Sequence, residues 1–109
     1  MKLESGRVVL IPFPFSDPKS QKKRPVLMLT APDGFGDFIG LAITSKGYHA
    51  NAVTLVQDDM DEGVLPKPSW IRTDKVFTLS HDFIVSMVGR VSGKVVEQAV
   101  MGLCNKVSA

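Results

Sequence analysis

Basic residues are concentrated in one short segment ahead of an apolar run. Four of the thirteen lysines and arginines lie within six positions, as Lys19, Lys22, Lys23 and Arg24. Pro25 then opens an apolar stretch typical of a strand, so Arg24 should be anchored while the lysines before it stay mobile. A fixed guanidinium can bind two oxygens of one phosphate. The cluster indicates phosphate binding, although a solvated loop that favours solubility would have the same composition.

A second candidate group is Arg72-Thr73-Asp74, with Trp70 before it and Lys75 after it. Residues two apart in a strand face the same side, so Arg72 and Asp74 should project together. Such a pair could act as acid and base beside a scissile bond, or it could be a salt bridge at a strand end. Trp70 could stack on a nucleobase or belong to the core.

The third candidate group is Thr44-Ser45-Lys46, which follows an apolar strand and precedes Gly47. Two hydroxyls and an ammonium can hydrogen-bond a phosphate, but a turn rich in Ser and Gly needs no ligand to explain it. Neither His49 nor His81 has a second histidine or a cysteine at metal-ligand spacing. We therefore expect no metal site and no cofactor.

Length and composition limit the classes of protein that the chain can represent. It has 109 residues, of which 44% are hydrophobic and 22% charged, which predicts one globular domain over residues 1–109 and argues against disorder. The single cysteine, Cys104, excludes an internal disulfide and is predicted to pack in the core. No segment approaches the roughly 18 apolar residues of a membrane span, and the N-terminus lacks a signal-peptide core. We expect a cytoplasmic protein.

Hydrophobic periodicity predicts several strands and one helix. The expected strands cover residues 8–11, 25–30, 38–44, 52–56, 69–72, 76–79 and 84–91, with a loop over 58–68. The helix should span about 93–106 behind an N-cap at Ser92. Its apolar face should consist of Val96, Ala99, Val100, Leu103 and Val107. This pattern predicts a mainly β protein, a small barrel or sandwich with a C-terminal helix.

Four segments, taken in order, resemble one known family. They are residues 6–15 followed by 23–29, residues 41–45, residues 69–79, and residues 88–92 with the helix behind them. Together they are similar to the MazF/PemK-type toxins over nearly the whole chain. The resemblance implies an SH3-like barrel that forms homodimers. It also implies metal-independent cleavage of single-stranded RNA, often mRNA, restrained by a cognate antitoxin.

The resemblance also implies roles for individual residues. Arg24 matches the family's arginine that contacts the scissile phosphate, and Thr44 matches a threonine that lines the site. Arg72 and Asp74 match an arginine-aspartate pair found in some PemK-type members. The expected RNA contacts are Lys22, Lys23, Ser45, Lys46, Trp70 and Lys75. Some relatives carry a histidine or glutamate in the loop before the Arg-Pro pair, where this chain offers only Asp17. The general base therefore stays open, with Asp74 the best candidate.

Two alternatives to a ribonuclease remain. An SH3-like module that binds RNA or a protein without cleaving would use the same basic loop and Trp70, but it would need no carboxylate in its groove. A degenerate toxin kept only as an antitoxin partner is the other alternative. In the toxin interpretation, the Lys19–Arg24 loop should accept an acidic, partly disordered antitoxin peptide that blocks RNA.

Overall fold

Seven antiparallel strands form one curved sheet in the computed structural model, which describes residues 2–12, 23–47 and 52–108. The strands and the helix are β1 (Arg7–Pro12), β2 (Lys23–Met28), β3 (Asp37–Thr44), β4 (Ala52–Leu55), β5 (Met60–Gly63), β6 (Ser69–Ser80), β7 (Ser86–Val91) and α1 (Gly93–Val107). The order across the sheet is β4-β6-β3-β2-β1-β7-β5. The prediction of a mainly β, barrel-like fold with a C-terminal helix is confirmed.

The central strands are buried on both faces of the sheet. Val8 and Leu27 belong to the core on the α1 side, whereas Val9, Val26 and Met28 belong to a second core on the other side. Successive side chains of a strand point to opposite faces, so each strand needs apolar residues at consecutive positions to fill both cores. This explains why the apolar runs of the sequence marked the central strands.

Strand β5 lies within a segment that was predicted to be a loop. Its sequence, Met60–Gly63, is acidic and disfavours a strand. It pairs with β7 at a close backbone crossing, where a Cβ added to Gly63 would collide with the carbonyl of Val88 and one added to Gly89 with the carbonyl of Glu62. Two facing glycines therefore permit a pairing that local propensity does not favour.

Strand β6 is one continuous strand where two short strands were predicted. Its first part pairs with β4 and the end of β3, and its second part with the start of β3. The register changes sharply between them: Ile43 faces Ile71, while Leu41 faces Val76. Residues 72–75 therefore form an irregularity where the sheet bends, as bulges do.

Helix α1 begins where the sequence predicted, and its buried face agrees in part: Ala99 is buried, and Val96 and Leu103 pack against the core. The hydroxyl of Ser92 accepts a hydrogen bond from the amide of Val95 at 3.4 Å, which confirms the N-cap. Val95 and Ala99 are the residues buried in α1, and the predicted face residues Val100 and Val107 are exposed. Cys104 is also exposed, so the prediction that it packs in the core is wrong. Gly102 also faces the sheet, since a Cβ added there would lie 2.7 Å from Cγ2 of Thr73 in β6.

Candidate functional site

A groove of about 390 Å³, called the first groove below, opens at the start of β2 and the end of β3. It lies beside the segment that leads into β6. Four cations line it: Lys23, Arg24, Lys46 and Lys67. No Asp or Glu of the described ranges lines the groove. Several positive charges without a nearby negative charge create a positive potential, which attracts phosphates.

Arg24 is placed in this groove by the pairing of β2 with β1. It lies opposite Ile11 near the start of β2, one residue before Pro25, as the sequence predicted. The residue is exposed, and it forms no ion pair with any carboxylate that the structure describes. Its guanidinium therefore has no described anionic partner to displace before binding a phosphate.

The Thr44–Lys46 turn forms a second wall of the groove. Thr44 ends β3, and its Oγ1 accepts a hydrogen bond from the amide of Lys46 at 3.1 Å. Thr44, Ser45 and Lys46 all line the groove with Arg24 and Lys23. Residues from two of the groups singled out in the sequence thus come together, as the phosphate-binding interpretation expects.

A third wall, Leu65-Pro66-Lys67, was missed by the sequence analysis. Gln57 holds this segment in place: its Oε1 accepts from the amide of Leu65 at 2.7 Å, and its Nε2 donates to the carbonyl of Gly63 at 3.2 Å. Lys67 stands between two prolines in the sequence, which is its only local signal. Its place in the groove depends on β5 and on Gln57, so no local pattern could have revealed it.

Arg72 and Asp74 form a two-point ion pair on β6. The Nη2 of Arg72 lies 2.6 Å from one carboxylate oxygen of Asp74, and its Nε lies 3.1 Å from the other. The hydrogen bond from Arg72 holds the pKa of Asp74 below its usual value, so the carboxylate is ionised at neutral pH. The expectation that both side chains project together is confirmed.

The Arg72–Asp74 pair and Lys75 are not among the described residues that line the groove. Trp70 does not line it either, but it is the cross-strand partner of Thr44, which does. Trp70, Arg72 and Asp74 are all half-buried in β6, the last two within its irregular segment. Lys19, Lys22, Asp17 and His49 lie outside the described residues.

A second groove, of about 490 Å³, lies beside the start of α1 and has the opposite charge character. Glu4, Asp61 and Glu97 line it, with Arg90 as the one described cation. Glu4 also belongs to an ion-pair cluster around the buried Arg7, whose guanidinium lies 2.7 Å from Glu62 and 3.1 Å from Glu4. Arg90 adds a contact to Glu62 at 3.3 Å.

Within residues 2–12, 23–47 and 52–108, no three His, Cys, Asp or Glu side chains come together as a metal site. Over the same ranges, α1 falls short of the length and apolar character that crossing a bilayer requires.

Comparison with known proteins assigns the chain to a family. Residues 4–106 match the model of the PemK-like, MazF-like toxin of type II toxin-antitoxin systems. A MazF from Deinococcus radiodurans superposes with a TM-score of 0.77 at 17% identity, over 98% of this chain and 97% of that one. An endoribonuclease in complex with its cognate antitoxin, from a mycobacterial species, superposes with a TM-score of 0.73 at 15% identity. This match covers 100% of this chain and 99% of that one.

A MazE-MazF structure from Deinococcus radiodurans also matches, with a TM-score of 0.75 at 17% identity over 99% of this chain and 97% of that one. No curated protein sequence matches the chain. These structural likenesses establish the fold, and the match of the family model covers almost the whole sequence, which confirms the resemblance noted from the motifs. The chain therefore belongs to the PemK-like, MazF-like family of toxins of type II toxin-antitoxin systems.

Proposed function

We propose that this protein is a metal-independent endoribonuclease toxin that cleaves single-stranded RNA, including mRNA, in the cytoplasm. The observation that carries the proposal is the first groove. Four cations and the hydroxyls of Thr44 and Ser45 line it, and no carboxylate of the described ranges does. This lining suits the negatively charged phosphodiester backbone of RNA.

RNA carries its own nucleophile, so the proposed chemistry needs no activated water. The 2′-oxygen attacks phosphorus, the bond from phosphorus to the 5′-oxygen breaks, and the products are a 2′,3′-cyclic phosphate and a 5′-hydroxyl. The 2′-hydroxyl proton passes to a base, and the leaving 5′-oxygen takes up a proton from water. Arg24 stabilises the charge that accumulates on the phosphoryl oxygens, while Thr44 and Ser45 orient the phosphate.

We assign the base to Asp74, with Arg72 as its partner. The lowered pKa of Asp74 keeps it unprotonated and able to accept a proton at neutral pH. Both of its oxygens are hydrogen-bonded by Arg72, so the carboxylate becomes an effective base only when a phosphate of the RNA draws the guanidinium away. Arg72 then adds a second positive charge beside the reacting phosphate.

The proposed partners follow from the same groove. The extended RNA substrate needs more contacts than one small groove offers, so we propose a homodimer whose interface extends the binding surface. A cognate antitoxin with an acidic, extended segment would bind the cationic groove and compete with RNA. A structural relative was solved in complex with its cognate antitoxin, which supports this assignment.

The alternatives differ from this proposal in their products. A non-catalytic RNA- or protein-binding module would bind RNA through the same cations and leave it intact. A degenerate toxin would bind the antitoxin and also leave RNA intact. The cations of the groove would serve all three, so the fate of the bound RNA, intact or cleaved, distinguishes them.

The test is cleavage of a single-stranded RNA library in the presence of EDTA, with product ends identified by mass spectrometry. We expect 2′,3′-cyclic phosphate and 5′-hydroxyl ends, and no cut at a site whose 2′-hydroxyl is replaced by hydrogen. The Arg24→Ala variant, purified in parallel, controls for contaminating ribonucleases. Binding of RNA without cleavage by the wild-type protein would favour the binding module instead.

A further inference from the structure

Trp70 occupies an unusual place beside the first groove. It lies in β6 between two threonines, facing Thr44 of β3 on one side and Thr54 of β4 on the other. The residue is half-buried and does not line the groove. A large ring therefore lies next to the groove wall without forming part of it.

The backbone of Gly47 lies directly against the Trp70 indole. A Cβ added to Gly47 would come within 2.5 Å of Cζ2 and within 2.7 Å of both Cε2 and Cη2 of the ring. These atoms belong to the six-membered part of a rigid ring, so they cannot move aside like the end of a flexible side chain. Any side chain at position 47 must displace either the loop or the indole.

This contact fixes the far end of the turn that carries the groove residues. At its near end, the hydrogen bond from the Lys46 amide to Thr44 Oγ1 holds the chain. At its far end, Gly47 rests on Trp70. Ser45 and Lys46, which line the groove, lie between these two attachments. Their positions relative to Arg24 therefore depend on where the indole sets the backbone of Gly47.

We propose that Trp70 is a positioning residue: through Gly47, its indole holds the Thr44–Lys46 turn at the distance from Arg24 at which one phosphate can contact both. This inference rests on the proposed RNA cleavage, which supplies the phosphate. Trp70 touches no reacting atom in this role. It acts by sparing the turn the ordering cost that a loose loop would incur on binding.

The chain has a single tryptophan, so its fluorescence reports on the surroundings of Trp70, including the contact with Gly47. We compare Gly47→Ala with Gly34→Ala, a matched control at which an added Cβ meets nothing within 4 Å. In Gly47→Ala, the displaced loop should uncover the indole, shift its emission to longer wavelength and increase its quenching by acrylamide. Gly34→Ala should match the wild-type protein in both readouts. An unchanged emission and quenching in Gly47→Ala would show that the contact does not hold the turn.

Binding is measured with an RNA oligonucleotide made uncleavable by 2′-deoxy substitution at the cut site. Gly47→Ala should weaken binding about tenfold, which corresponds to about 1.4 kcal/mol, with the midpoint of thermal unfolding near that of Gly34→Ala. Trp70→Phe, which removes the ring atoms that touch Gly47, should show the same loss, and Trp70→Tyr should recover little of it.

The outcomes separate this inference from the proposed function. If wild-type protein and Gly47→Ala bind the oligonucleotide equally well, the positioning role is overturned while the ribonuclease proposal stands. If the wild-type protein cuts no RNA but binding falls in Gly47→Ala, the ribonuclease proposal is overturned and the positioning of a phosphate-binding turn is supported. If the wild-type protein binds no RNA, both proposals are overturned.

Discussion

The two grooves of this protein use arginine in opposite ways. In the groove at the ends of β2 and β3, Arg24 is exposed and has no carboxylate partner within the described ranges. In the groove beside α1, Arg90 shares Glu4 and Glu62 with the buried Arg7. Both grooves have similar volumes, about 390 and 490 Å³. The two grooves therefore differ in how their charges are paired and not in their size.

This difference shows which cations are available to a ligand. The guanidinium of Arg7 is hydrogen-bonded to the Lys2 carbonyl, to Glu4 and to Glu62, and these contacts tie β1 to β5. An anionic ligand there would have to replace internal partners and would also meet Asp61 and Glu97. A ligand at Arg24 meets neither obstacle within the described part of the chain.

The largest effect on RNA cleavage should come from substituting Asp74. This substitution tests whether a carboxylate outside the first groove takes part in the reaction proposed for that groove. Asp74→Asn keeps the shape of the side chain and removes the base, so single-turnover cleavage should fall by ~10² to 10⁴-fold with RNA affinity retained. Glu97→Gln, the same kind of substitution at a carboxylate that lines the second groove, is the matched control and should cleave RNA at the wild-type rate. Wild-type rates in Asp74→Asn at saturating RNA would rule out Asp74 as the base.

Arg24→Ala should reduce single-turnover cleavage by about 10²-fold or more, the scale for losing one preorganised charge-stabilising donor. Lys94→Ala is the matched control, because Lys94 is an exposed cation at the start of α1 that lines neither groove. Rapid-quench kinetics on a labelled oligonucleotide measure both. Equal losses in the two variants would mean that overall charge, and not the place of Arg24, determines the rate.

Lys23 and Lys46 should make smaller contributions, to binding more than to chemistry. Replacing either with Ala should weaken RNA binding several-fold at low salt, and each lost phosphate contact should reduce the slope of log affinity against log salt by about 0.7. Cleavage of fully bound RNA should change little. Fluorescence-anisotropy titrations over a salt series provide the measurement, and a slope equal to that of Lys94→Ala would contradict a phosphate contact.

The ion-pair cluster around Arg7, beside the second groove, should respond to substitution in stability alone. A hydrogen bond from Arg7 is the main reason that the pKa of Glu62 is lowered from its usual value of 4.5. The stability that Glu62 contributes is therefore fully present above pH 4.5, and it is lost as the pH falls through the lowered pKa. Glu62→Gln should lower the unfolding midpoint at pH 7, reduce the loss of stability in acid, and leave RNA affinity unchanged. Thermal melts from pH 3 to 7 test this, and weaker RNA binding would link the two grooves.

The sequence predicted the elements whose local signals agree with their tertiary roles. Consecutive apolar residues marked the central strands, and Ser92 marked the beginning of α1. The Arg72–Asp74 pairing followed from the period of a strand, which needs no knowledge of neighbouring elements. Motif order also indicated the family, which the match over residues 4–106 confirmed.

Only the tertiary structure decided which charges are paired and which are available to a ligand. Arg7 and Arg24 each precede an apolar segment in the sequence, yet Arg7 is enclosed by carboxylates brought from Glu4 and from β5, and Arg24 is not. The segment that brings Lys67 to the groove is held by a hydrogen bond to Gln57, and Gly47 lies against Trp70, more than twenty positions away. These features arise from contacts between residues that are distant in sequence, and the geometry of those contacts depends on the whole sheet. A local sequence pattern therefore cannot predict them.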